Sequence, residues 1–556
     1  MARPNRVWWL LLLAVPYFIN LGASSIWDIN EAFYVEAPRE MMEAHDYLTP
    51  RFNYRDRLEK PILSYWVILP FYAVFGAGEF AERLPIALIM TLTLIVVYRL
   101  GAVLFGGGAG LFSAAVLATS FKVFWLAHRS LIDMLLLFCV TAALYFAVLA
   151  LNSNEARCRV YYARFFFIMM GLGTLAKGLL GLLIPGAIVL IYLILWRDWA
   201  AVKRLRPQEG VGLYLLVCAP WYGAMFFRHG WSYIQFFFGG HHIDRFLYGS
   251  YSIARPIWFY VPTLLGGFMP WSFFLLPALV YSIQTYARGV LNERRSLSFL
   301  AIWFSFIFIF FSLARAKQEE YIFQLYPAGA LAVGYYFGRL REQAATSTLI
   351  RRRWLIFSTI LASALFGLMS TVYWHIAVKL FGPQYFFNWI PTIGWTLAAI
   401  LLLWMLVLRR DHLIFNITAG AAFFFLIVLT AVILPDCERF RPVKALSARI
   451  SAEAQPTDLV GYYRLAVPSL CYYTRRPIFE VFAKERLESI LCQTPRAFCV
   501  MEEKDYNELR RNGLCTLYVW ESRPKLVTTL KGFLAFWQSG QLPNVLLVSN
   551  QPPGVK

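Results

Sequence analysis

Apolar runs of bilayer-spanning length recur along most of this 556-residue chain and leave few folds open to it. A helix needs roughly 20 consecutive apolar residues to cross the hydrocarbon core, and only helices and closed barrels satisfy their backbone there. The first run, Val7 to about Leu21, follows Arg3 and Arg6. It lacks a small-x-small cleavage site and many runs follow it, so it reads as a first anchor. Further spans are expected near 82–105, 108–126, 131–151, 163–177, 178–196, 211–227, 257–283, 297–314, 320–338, 354–378, 390–408 and 413–434, about thirteen in all. The expected fold class is therefore a polytopic α-helical membrane protein.

Charge sets the orientation. The net charge is +20, which in a soluble chain would point to nucleic acid. Here the basic residues gather in alternate short loops: Arg157, Arg159 and Arg164; Arg197, Lys203, Arg204 and Arg206; Arg288, Arg294 and Arg295; Arg339, Arg341 and Arg351 to Arg353; Arg409 and Arg410. Positive loops stay in the cytoplasm, on the side of Arg3 and Arg6, and no nucleic acid is needed to explain them. The parity works only if Pro61–Ala77 does not cross. That stretch carries Pro61 and Pro70 and follows a charged segment, so it reads as an interfacial or re-entrant helix.

Three polar segments then face outward: the loop from Ser24 to Lys60, the loop from Arg228 to Arg255, and the tail from about Pro435. Two domains are expected. Residues 1–434 form a membrane domain, with the first periplasmic loop and its amphipathic helices over 24–80. Residues 435–556 form a small periplasmic α/β domain. Within it Asp458–Tyr463, Ala497–Met501, Thr516–Val519 and Val545–Val548 read as strands, and Arg441–Ala454 and Lys525–Ser539 as helices. Five of the eight cysteines lie there, Cys437, Cys471, Cys492, Cys499 and Cys515. An oxidising compartment permits a disulfide among them, and the odd number leaves at least one thiol free.

The first outer loop carries an unusual density of charge for a segment that joins two spans. Glu31, Glu36, Arg39, Glu40 and Glu43 fall in one expected helix, beside an apolar stripe of Phe33, Tyr34, Ala37, Met41 and Ala44. One reading is an amphipathic helix on the membrane surface with its charges solvated.

The loop resembles the first periplasmic loop of the GT-C membrane glycosyltransferases, and more narrowly that of the aminoarabinose lipid A transferases and protein O-mannosyltransferases. Asn30, Glu31, Tyr34, Arg39, Glu40, Met41, Asp46, Tyr47, Pro50, Glu59, Lys60 and Pro61 match without a gap. His128 and Arg129 followed by Asp133 resemble the family's second acidic position, and Leu175–Gly178 its Thr-Lys-Gly turn. His241, His242 and Arg245 resemble its His-x-x-Arg-Phe element. Lys317, Tyr321 and Tyr326 resemble its Lys-x-x-x-Tyr stretch. The charge-derived topology places Asn30, Glu31, Lys60, Asp133, Lys177, Arg245 and Lys317 at one face, and ionisable groups at the mouth of a bundle tend to be functional.

The resemblance implies a sugar carried on a polyprenyl (undecaprenyl) phosphate and transferred, with inversion, to lipid A or another envelope glycolipid or protein. The leaving phosphate gains negative charge, which fixed cations in a dry site stabilise. Lys60 and Arg245 take that role by resemblance, with Lys317 as a further clamp. Arg39, Arg57, Glu59, Lys177, Tyr321 and His242 are expected to line the substrate site. Asn30 stands where the family has Asp, and Asn cannot act as a base. Glu31 or Asp28 supplies the carboxylate, or the acceptor is already anionic, or the protein is catalytically impaired or uses a different partner; Asp133 is an intact acidic match that can organise the site from the second position. Arg57 stands where the aminoarabinose transferases tend to have Tyr. A divalent cation held by Glu59 with His241 or His242 is an option that adjacent histidines alone support weakly.

Other classes fit parts of the pattern. A glycan ligase or polymerase shares the topology and the lipid-phosphate leaving group. A transporter would show internal repeats and mid-membrane polar groups, neither of which stands out here. A monomer in the bacterial inner membrane is expected, with its N-terminus cytoplasmic and its tail periplasmic.

Overall fold

The computed structural model describes residues 4–129, 131–244, 255–342, 349–511, 516–527 and 529–554. Among them, seven helices are long and apolar enough to cross a membrane: Glu79–Phe105, Leu131–Asn152, Pro207–His229, Leu291–Leu313, Arg352–Phe381, Phe386–Val407 and Asp411–Phe440. Ile257–Gly267 and Ser272–Arg288 make an eighth if they are one span bent by 110°. Shorter apolar helices are Val7–Tyr17, Leu63–Phe75, Gly107–Ala118 and Leu180–Leu195. The chain is thus a multi-pass, mostly helical membrane protein.

Three of the expected spans are interrupted, and the interruptions meet. The continuous helix expected over 257–283 breaks where Pro270, which has no N–H to give, follows Gly266 and Gly267. The one expected over 108–126 stops at Ala118, because the Thr119 and Ser120 hydroxyls donate back to the Ala115 and Val116 carbonyls at 2.6 and 2.7 Å and Ser120 turns extended. The two breaks bind each other: Phe121 N–H donates to Met269 O at 3.1 Å, and Trp271 Nε1 donates to Thr119 Oγ1 at 2.9 Å. The span expected over 320–338 begins with 3-10 turns at Glu319–Leu325 before the helix Tyr326–Glu342.

The first loop holds a helix at Asn30–Glu43, a two-residue hairpin of β1 (Arg51–Phe52) and β2 (Arg55–Asp56), and the helix Leu63–Phe75. Glu31, Glu36, Arg39 and Glu40 are buried, so the helix does not lie on a surface with solvated charges. The tail covers it.

In the tail, β3 (Leu459–Tyr463), β4 (Ile478–Val481), β5 (Ala497–Glu502), β6 (Tyr518–Pro524) and β7 (Asn544–Ser549) form one sheet in the order β4-β3-β5-β7-β6. β3 is parallel to β4 and β5, while β7 is antiparallel to β5 and β6. Alternate residues serve opposite faces. Val460, Tyr462, Phe498, Val500 and Leu547 pack on the helix Pro442–Glu453 through Leu446 and Ile450, and Tyr463, Cys499, Met501, Leu546 and Val548 form the second core. The strand β4 and the helices Ser469–Thr474, Lys484–Gln493 and Glu503–Arg511 were not expected from the sequence. Cys492 is disulfide-bonded, Cys437, Cys471 and Cys499 are free, and Cys515 lies outside the described residues.

Candidate functional site

A tight helical hairpin places the first charged pair. Helix Ala156–Lys177 ends on Gly178, whose φ of +77° is open to glycine, and Leu180–Leu195 returns beside it. The return is close: a Cβ on Gly181 would stand 2.1 Å from the Gly173 carbonyl carbon. Lys177 is thereby fixed at the tip. It forms an ion pair with Asp133, which is buried in the first turn of Leu131–Asn152. The Tyr321 ring, carried by the 3-10 turns, lies 6.0 Å from the Lys177 ammonium. On the same turns Glu319 accepts from Lys122 at 2.8 Å.

The hairpin of the first loop places a second cationic group. Arg57 leaves β2, stacks 4.2 Å over the Phe33 ring and pairs with Glu59 at 3.1 Å. Arg57 and Glu59, with Phe52, Asp56, Leu58 and Phe236, line a cavity of about 300 Å³. Lys60 follows, half-buried. Phe236 belongs to the π-helical segment Gln235–Asp244, which also carries the backbone of His241 and His242. The side chains of those two histidines, and all of Arg245, lie outside what is described, and the cation site expected there with them. Lys317 is buried and its ammonium donates to Ala314 O, in its own turn, at 2.5 Å.

Around Asn30 the carboxylates are already engaged. Asn30 opens its helix and is exposed. Glu31 is buried beside Arg83, which donates to it at 2.7 and 3.2 Å, and it accepts the Trp27 N–H at 2.5 Å. Arg83 also binds the Leu21, Ser24 and Ser25 carbonyls. Glu31, expected with Asp28 as a candidate for the carboxylate, therefore also holds the loop to the span Glu79–Phe105. Both Asp28 oxygens accept from Ser469, from its N–H at 2.8 Å and its hydroxyl at 2.6 Å. Burial pushes the Asp28 carboxyl up to about 6, against those two bonds. Arg39, expected to touch substrate, spends its guanidinium on Glu36 at 2.6 and 2.7 Å, on Glu43 at 2.6 Å and on the Tyr54 hydroxyl.

The tail completes this end of the bundle. Asn53 exchanges two hydrogen bonds with the Ile478 backbone at 2.7 and 2.8 Å. Arg441 donates to Ile26 O at 2.7 Å and stacks 3.8 Å from the Trp27 ring. Glu36, Glu40 and the Cys471 thiol meet between loop and tail, their ligand-type atoms all within 4.8 Å of one another. Burial and the adjacent Glu36 carboxylate push the Glu40 carboxyl up to about 8. Burial and the two carboxylates push the Cys471 thiol up as well.

Arg83, Lys122, Trp27, Trp125, Ser469 and Cys471 were missed from the sequence. Glu82 and Arg83 did carry a signal, two ionisable residues at the start of an apolar run. Ser469 and Cys471 carried none, since they act across more than 400 residues of separation.

A family model described as dolichyl-phosphate-mannose-protein mannosyltransferase matches residues 59–223. A protein of Pseudomonas paraeruginosa named undecaprenyl phosphate-alpha-4-amino-4-deoxy-L-arabinose arabinosyl transferase is 30% identical over 415 residues, covering 73% of this chain and 72% of that one. An uncharacterized protein of Aquifex aeolicus is 28% identical across 84% of this chain and 87% of its own. The crystal structure of ArnT from Cupriavidus metallidurans bound to undecaprenyl phosphate superposes with a TM-score of 0.75 at 23% identity, over 99% of both chains, so the two share a fold.

Proposed function

The chain belongs to the aminoarabinose arabinosyl transferase family of GT-C membrane glycosyltransferases, and from that premise we propose that it moves a sugar from a polyprenyl-phosphate carrier to a phosphate group of an envelope lipid such as lipid A. One observation carries the choice of acceptor: the carboxylates flanking Asn30 are bound, Glu31 by Arg83 and Asp28 by Ser469. A hydroxyl acceptor needs a group to take its proton, whereas an ionised phosphate oxygen does not.

In this reading the acceptor oxygen attacks the sugar carbon from the face opposite the leaving group, and the configuration inverts. The carbon–oxygen bond to the carrier phosphate breaks, and its electron pair leaves on the polyprenyl phosphate. Lys60 and Arg245, with Arg57 above the Phe33 ring, hold that growing charge. The buried Asp133–Lys177 pair orients the sugar and Tyr321 closes over it. The reaction lies on the periplasmic side of the inner membrane. The chain crosses about thirteen times from a cytoplasmic N-terminus, as the alternation of basic loops supports. Residues 1–434 form the catalytic membrane domain, and 435–556 a periplasmic domain that covers the first loop. The protein acts as a monomer.

Transfer from a polyprenyl-phosphate sugar to matched acceptors, with and without their phosphate, tests this. Product should form only on the phosphorylated acceptor. Equal transfer to the dephosphorylated one would return the search to a base.

A further inference from the structure

The tail carries one short helix whose apolar side is turned away from its own core. The helix Leu530–Ser539 starts where Thr529 accepts the Gly532 N–H at 3.2 Å and ends on Gly540, in the left-handed region at φ +71°. Phe536 is buried. Leu530, Phe533, Leu534 and Trp537 follow at i, i+3, i+4 and i+7, which puts them on one face. Leu530 is 75% exposed and Leu534 is 51% exposed.

The position of this helix decides what meets that face. The Trp537 ring stacks on His375 with centroids 4.2 Å apart, and Lys379 donates to the Trp537 carbonyl. Both partners stand near the end of the span Arg352–Phe381. Along that span Phe357, Ile360, Ala364, Leu368 and Thr371 are exposed at steps of three or four residues, and exposed His375 is the next step in the series. A side of a span that no other helix covers meets lipid. The tail helix therefore stands at the end of a lipid-facing stripe, on the flank of the bundle.

The level is set by geometry. The hydrocarbon core is roughly 30 Å thick and a helix rises about 1.5 Å per residue, so the core that begins near Arg353 ends about 20 residues later. Trp374 is at that point, its ring 4.3 Å from that of Trp389 at the start of the next span, where Phe386 and Phe387 are exposed. Aromatic rings gather at the boundary between hydrocarbon and head groups. His375 and the Trp537 stacked on it share this level. Leu534 and Leu530 follow Trp537 within two turns, so within about 10 Å of it. Lys531, exposed beside Leu530, has the length to place its charge among head groups.

We propose that the helix Leu530–Ser539 lies in the surface of the bilayer and docks the tail on the lipid beside the span Arg352–Phe381. The face of Leu530 and Leu534 is covered by acyl chains of the leaflet on the tail's side. Each leucine gains by leaving water there, as in other amphipathic interfacial helices. Docking of this kind is independent of which sugar is moved and of what accepts it.

Carbene labelling of the full-length protein tests it. The protein is placed in vesicles of phosphatidylethanolamine and phosphatidylglycerol doped with a phospholipid that carries a diazirine on the upper part of one acyl chain. After illumination and digestion, mass spectrometry locates the adducts. Adducts are expected on Leu530 and Leu534 as well as on Phe357 and Leu368 of the span, and none on the tail helix Lys484–Gln493. The double variant Leu530→Glu, Leu534→Glu should lose adducts on the helix at least about tenfold, the least that burying one Leu is worth, while Phe357 and Leu368 label as before. Should that variant fail to fold, Leu530→Ser with Leu534→Ser should still lower them. No adducts on Leu530 and Leu534 in the wild type would overturn the proposal, and so would their labelling by a water-soluble diazirine instead. A second copy of the chain packed on this face would exclude lipid and give that same negative result. Equal labelling of the helix in a folded double variant would overturn it as well.

Discussion

Asp133 and Lys177 show what a single pair decides. Asp133 is buried and Lys177 largely so, and breaking such a pair by removing one partner costs about 3–5 kcal/mol. Asp133→Asn is expected to lower the melting temperature and abolish transfer. Adding Lys177→Met should recover most of the stability and none of the transfer, which separates packing from chemistry. Glu31→Gln behaves differently if Glu31 is an anchor for Arg83: the melting temperature drops, while turnover per folded molecule changes little. A large loss of turnover at unchanged stability would make Glu31 the base after all. The sequence told which residues were unusual but not which lone pairs were already spent. Glu31 matched a motif position, and nothing in that match foretold its 2.7 Å contact to Arg83.

Among the elements, the hairpin that presents Lys177 depends on the Gly173–Gly181 approach. Gly181→Ala drives a methyl into the Gly173 backbone and should lower both stability and turnover, read by melting temperature and transfer rate. The junction of the first-loop helix with the tail should respond to pH through Glu40. Its folded value of about 8 lies above the ordinary 4.5, so the folded state binds the proton more tightly. Stability from this contact is then full below about 4.5 and is lost as pH rises through about 8. Hydrogen exchange of the Ser469–Thr474 helix should accelerate between pH 6 and 9 in the wild type but not in Glu40→Gln. Helices of one period were legible, since residues 84–98 and 134–151 carry no charge to interrupt them. Their interruptions were not, because Thr119 and Ser120 look like ordinary residues of a span until their hydroxyls turn back on the helix. Strand β4, four residues long with Glu480 in it, offers no alternation to read.

For the whole molecule, the alternation of basic loops predicts which surfaces face out. With Cys158 replaced, a cysteine at Ser489 on the tail should react with an impermeant maleimide in intact spheroplasts, and one at Asn154 between two helices should react only after lysis. The reverse pattern would invert the topology. The folding of the tail onto the first loop was invisible in the sequence, for it rests on contacts such as Asn53 with Ile478 that no local pattern encodes. The lipid the enzyme carries identifies its donor most directly. Mass spectrometry of lipid extracted from the purified protein should find a polyprenyl phosphate, free or bearing one sugar. A lipid with a diphosphate-linked oligosaccharide, or no isoprenoid at all, would contradict it.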